Sequence, residues 1–92
     1  MGYEWSVKTK NKSLNEMLPF IQKLLLDEGI NNFTADSKRI SVTPNDDGSD
    51  WGMEFIIEDD YLYHLNYVGE RIVEQVRQAL EENGFDIVVE EL

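Results

Sequence analysis

The run MEFIIEDDYLYHLNY, residues 53–67, carries the clearest β-signal in the chain. Met53, Phe55 and Ile57 alternate with Glu54 and Glu58, the period-2 pattern of a strand with one buried face, and Glu58-Asp59-Asp60 then marks a tight turn. Beyond the turn, Tyr61, Tyr63, Leu65 and Tyr67 alternate with Leu62, His64 and Asn66. The two halves read as a hairpin. Weighting the aromatic side chains as core places Tyr61, Tyr63, Leu65 and Tyr67 inward, with Leu62, His64 and Asn66 outward. Upstream, Ile40 and Val42 alternate with Arg39, Ser41 and Thr43, and the turn formers of residues 44–50 (PNDDGSD) connect them to Met53 as a second hairpin.

Tyr3, Trp5 and Val7 against Glu4, Ser6 and Lys8 predict a first strand. Ser13-Leu14-Asn15-Glu16 has the form of a capping box, and Leu14, Met17, Leu18, Ile21, Leu24 and Leu25 make one apolar stripe that Gly29 can stop. The spacing predicts a helix over residues 14–28. Pro19 conflicts with it: a proline inside a helix removes a hydrogen bond and crowds a carbonyl, so either the helix kinks there or it begins near Pro19 and the box is coincidental. Residues 29–37 read as a loop with Phe33 anchoring it to the core. Ile72, Val73, Val76, Ala79 and Leu80 share a helical face over residues 68–82, stopped by Asn83-Gly84. Phe85, Ile87 and Val89 then alternate with Asp86, Val88 and Glu90 in a last strand.

The order β-α-β-β-β-α-β predicts a single α+β domain: a mostly antiparallel five-stranded sheet with both helices on one face, a ferredoxin-like variant. The 92 residues leave room for one core, since domains span about 50 to 250 residues. No helix is left to cover the other face of the sheet.

Composition narrows the function. The chain has no Cys and one His, so thiolate nucleophiles, disulfides and Cys or His metal clusters are excluded. The net charge is −11, and it is uneven: residues 1–44 hold six basic and five acidic side chains, residues 45–92 two and fourteen. A field of that sign repels nucleic acid and anionic membranes, and no apolar run nears the about 20 residues of a bilayer span. With no secretory-type apolar run near Met1, a cytoplasmic location is expected. Gly2 and Ser6 fit a loose myristoylation pattern, but Tyr3, Trp5 and Val7 read better as a strand. The sequons at Asn11 and Asn32 would matter only in a secreted protein.

Four features could carry chemistry. The acidic loop of residues 45–50 suggests a hard cation, which takes roughly six to eight oxygens, but the EF-hand spacing fails because Thr43 falls at its first position. His64 beside Glu54 or Glu58 could be a general base, yet no nucleophile or oxyanion donor accompanies it. Asp59 and Asp60 resemble a catalytic carboxylate pair but sit in a turn. The tyrosines of residues 61–67 with Trp5 suggest a stacking platform, which the local acidity opposes. No cofactor, metal or catalytic group is expected, and the chain is read as non-enzymatic. The expected functional surface is the outer sheet face, with Ile56, Leu62 and Val88 as an apolar centre and Glu54, Glu58, Asp59, Asp60, His64 and Asp86 around it, recognising a basic protein partner as an inhibitor, immunity-type protein or adaptor. A homodimer through the same face or an open edge is the alternative, and a small enzyme a third.

Overall fold

The structure is a computed structural model and describes residues 3–43, 52–67 and 69–92. The acidic loop considered above as a cation site lies outside the described residues. β1 (Tyr3–Thr9) is followed by a 3-10 turn (Leu14–Glu16) and α1 (Met17–Asp27), then β2 (Phe33–Ala35), β3 (Arg39–Val42), β4 (Met53–Ile57), β5 (Leu62–Asn66), α2 (Glu70–Glu82) and β6 (Ile87–Glu91). The strands form one sheet in the order β2-β3-β4-β5-β1-β6, every pair antiparallel. Without β2 and β3 the elements run β-α-β-β-α-β, so the ferredoxin-like expectation holds for the core, and the β2–β3 hairpin extends it past β4.

Among the described residues the sheet has six strands, not five. The segment expected as a loop contains β2, because Phe33 lies opposite Val42 and the Asp36 side chain shapes the return: Asp36 N–H donates to Arg39 O at 2.9 Å, and Lys38 N–H to Asp36 Oδ1 at 2.8 Å. An Asx-type turn between two three- or four-residue strands leaves little period-2 signal to read.

The conflict between Pro19 and the capping signal resolves at the start of the helix. Ser13 N–H donates to Glu16 Oε2 at 2.9 Å and Glu16 N–H to Ser13 O at 3.2 Å, so the box residues do organise the chain entry. The α-helix itself starts only at Met17, which puts Pro19 in its first turn, where a backbone N–H has no intrahelical acceptor. Gly29 closes α1 at φ +80°, with Ile30 N–H bonded to Leu25 O at 2.8 Å. Among the described residues no helix is long and apolar enough to cross a membrane.

Both helices cover one face of the sheet. Met17, Leu18, Ile21 and Leu25 of α1 and Val76 and Leu80 of α2 pack with Val7, Ile40, Val42, Met53, Phe55, Leu62 and Ile87 from the strands. Each large apolar side chain buried here stabilises the fold by about 1.5 to 3 kcal/mol before entropy is counted. Phe85 joins this core from the α2–β6 connection, its ring edge-on to Phe20.

β5 reverses the expected orientation. Leu62, His64 and Asn66 are buried, at 0%, 1% and 0% exposure, while Tyr61, Tyr63 and Leu65 are only half-buried and Tyr67 is exposed. The turn explains this. Glu58 N–H bonds Tyr61 O at 2.9 Å, so the loop has two residues, Asp59 and Asp60, and Ile57 falls opposite Leu62. Directly opposed residues share a face of an antiparallel sheet. Since Met53, Phe55 and Ile57 face the helices, so must Asn66, His64 and Leu62.

Candidate functional site

Two places draw attention: a polar network under the helices and the uncovered face of the sheet. The network centres on His64, which was expected on the surface and lies in the core instead. Its ring stacks on Phe55 at 4.3 Å between centroids and on Trp5 at 5.8 Å, and Trp5 stacks in turn on Tyr3 at 6.0 Å. His64 Nδ1 lies 3.0 Å from Glu54 O, a carbonyl that can only accept, so Nδ1 carries the proton. Nε2 is then an acceptor for Asn66 Nδ2 at 2.9 Å, and Asn66 Oδ1 accepts Gly69 N–H at 2.8 Å, just before α2. Every role in this chain of bonds requires neutral imidazole. Burial pushes the His64 pKa from 6.5 down to about 4, against the opposing effect of the bond to the Glu54 carbonyl. His64 therefore ties β4 to the start of α2, and its Glu54 partner is the backbone, not the carboxylate the general-base reading required.

The uncovered face is built by the alternate residues. Across the sheet, Glu90, Ser6, Tyr63, Ile56 and Arg39 form one row, and Glu4, Leu65, Glu54, Ser41 and Thr34 the next. Ile56 and Val88 stand on this face as expected, each half-buried. Leu62 and His64 do not; their places are taken by Tyr63 and Leu65. Ile56, Tyr63 and Leu65 adjoin one another, and Val88 lies beyond β1, opposite Lys8.

Charged groups frame this apolar patch in two different ways. Tyr63 Oη donates to Glu4 Oε1 at 2.7 Å, and Arg39 Nη2 donates to Glu54 Oε1 at 2.7 Å with Ser41 Oγ at 3.5 Å from the same oxygen. Burial first, and then the hydrogen bond to Glu4 and its charge, push the Tyr63 hydroxyl up to about 12. Glu58, Asp59 and Asp60 are exposed at the β4–β5 turn, and Asp86 is exposed where β6 begins; these expected contacts lie at the sheet end that also holds Thr9 and Lys10. Lys8 and Lys10 interrupt the acidity there, so the expected rim is not continuous. Glu4 and Glu90, which the sequence reading did not select, supply carboxylates beside the patch itself.

Asn11 is a further residue whose role is visible only in three dimensions. Its Nδ2 donates to Gly84 O at 2.8 Å, and its Oδ1 accepts Asp86 N–H at 3.0 Å and Thr9 Oγ1–H at 3.1 Å, so one side chain joins the β1–α1 and α2–β6 connections. Among the described residues no group of three or more acidic or imidazole side chains is arranged to hold a metal ion. Comparison with protein-family models, with characterised proteins and with solved structures gives no match to this chain.

Proposed function

We propose that this domain is a non-enzymatic, cytoplasmic protein-binding module that recognises a basic protein partner through the uncovered face of its sheet. The observation that carries this reading is the patch of Ile56, Tyr63 and Leu65 on a sheet face that no helix among the described residues covers, with Glu4, Glu54 and Glu90 beside it. Half-buried apolar side chains set among carboxylates are the composition of a docking surface: the apolar atoms supply contact energy, and the charge of −11 accelerates encounter with a cation-rich partner. An inhibitor, immunity-type or adaptor role would use the surface in the same way.

The reading is tested by affinity capture from the native cells with the wild-type protein and a Leu65→Asp variant as baits, followed by reconstitution of the purified pair. A basic partner that binds the wild type, weakens as salt rises and loses about tenfold or more in affinity to Leu65→Asp supports it. A partner of neutral or acidic charge, or one that binds both baits equally in high salt, overturns it.

A further inference from the structure

β6 is the edge of the sheet next to α2, and its hydrogen-bonding pattern is asymmetric in a useful way. Leu92 N–H bonds Glu4 O at 2.9 Å and Lys10 N–H bonds Asp86 O at 3.0 Å. Antiparallel alternation then turns the backbone groups of Val88 and Glu90 toward β1 and those of Ile87, Val89 and Glu91 away from it, toward the free edge. Among the described residues no strand pairs with that edge.

The same three residues point their side chains to the helix layer, where an open groove runs between α2 and β6. Trp5, Val73, Ile87 and Val89 supply its apolar lining, and Glu70, Glu74 and Glu91 stand along it. Among the described residues Arg77 is the one cation lining this groove, and it is engaged by Glu74 and by Glu81 at 3.6 Å. The groove is therefore acidic, and its carboxylates flank the strand whose amides and carbonyls are unused by the sheet. A strand laid against β6 would set the side chains opposite Val89 and Glu91 directly into it.

We propose that the β6 edge and the α2–β6 groove take an extended, cationic segment of a partner protein, alternating apolar with Lys or Arg residues, which joins the sheet as a seventh strand. This inference rests on the basic-partner part of the reading above and adds a second contact, at the β6 edge and on the helix side of the sheet: main-chain hydrogen bonds to Ile87, Val89 and Glu91 give affinity, and the carboxylates of Glu70, Glu74 and Glu91 select cationic side chains. A second copy of this chain is the poorer occupant, since it would bring another −11 to an acidic groove.

The probe is a capped peptide of alternating Lys and Val, titrated into isotope-labelled protein while amide resonances are followed, with an alternating Glu and Val peptide as the control. The expected result is shifts centred on Ile87, Val89 and Glu91 with the cationic peptide alone. Val89→Pro removes an edge N–H that the sheet does not use, so the fold is expected to survive while affinity drops about tenfold. Glu70→Lys with Glu91→Lys, both exposed, is expected to weaken binding by a similar factor, and carries the test if the proline variant fails to fold. Shifts at Ile56, Tyr63 and Leu65 that spare β6 would overturn the strand-addition mode while leaving the basic-partner reading standing. Equal binding of the acidic peptide, no shift with the cationic one, or a homodimer abolished by Val89→Pro would each overturn the proposal.

Discussion

Ile57 and Leu62 lie directly opposite each other across the β4–β5 hairpin, joined by a loop of only Asp59 and Asp60. That pairing fixes the orientation of all of β5. A two-residue loop pairs odd-numbered positions of β4 with even-numbered positions of β5, so a core-facing Ile57 compels a core-facing Leu62. Leu62→Ala is expected to cost about 2 to 5 kcal/mol of stability, while Leu65→Ala on the open face costs less than about 1 kcal/mol. Urea denaturation of the two variants checks this, and the reverse ranking would contradict the register.

His64 gives a pH signature. Its pKa is lowered to about 4 in the folded protein against 6.5 for the free group, so between these values the unfolded chain binds the extra proton. Stability from this residue is therefore complete above about pH 6.5 and is lost as pH falls toward 4, by about 3 kcal/mol in all. Neutralisation of the many carboxylates acts oppositely by relieving repulsion, so the comparison is with a His64→Leu variant, whose stability profile should lack this acid-side fall. An imidazole resonance that titrates near pH 6.5 in the folded protein would refute the assignment.

Tyr63 should ionise above the ordinary tyrosine range. With its hydroxyl at about 12, its folded-state pKa lies above the ordinary 10, so the stability it contributes is present below pH 10 and lost as pH rises through 12. Glu4→Gln is expected to lower the Tyr63 midpoint by removing a charge that favours the neutral phenol, though burial, the larger cause, remains. Resolved tyrosine ring resonances followed with pH make the measurement.

Asn11→Ala should destabilise by about 0.5 to 1.5 kcal/mol, because it removes partners from the exposed Asp86 amide and Gly84 carbonyl at once and water replaces them only in part. Asn11→Asp is the informative companion: it retains an acceptor for Asp86 N–H but loses the donor to Gly84 O. Thermal unfolding should place it between the wild type and Asn11→Ala.

Much of the fold was legible because periodicity reports burial directly. The stripe from Leu14 to Leu25, the face from Ile72 to Leu80 and the alternation around Phe55 each matched an element, and the sheet with one uncovered face followed from their order. β2 escapes the sequence because Phe33–Ala35 is too short to show a period and returns through a turn made by the Asp36 side chain. β5 was inverted for a different reason. Alternation of Tyr61, Tyr63 and Tyr67 with Leu62, His64 and Asn66 is nearly symmetric in apolar character, so composition chose the aromatic set, whereas the turn length between Glu58 and Tyr61 held the answer. Composition thus puts Leu62 and His64 on the open face, where the structure places Tyr63 and Leu65. His64 and Asn66 are poor core candidates by residue type, and their hydrogen bonds to Glu54 O, to each other and from Gly69 N–H offset the cost of burying them.

A basic protein docked on the uncovered sheet face and across the β6 edge would perturb the residues of both. The most direct measurement is the broadening or shift of backbone amides in isotope-labelled protein when its purified, captured partner is added at low salt. The expected effects are concentrated at Ile56, Tyr63, Leu65 and Val88 to Glu91, and they reverse as salt is raised. Effects concentrated on the outer side of α1, around Lys23 and Leu26, with the sheet face untouched, would contradict it.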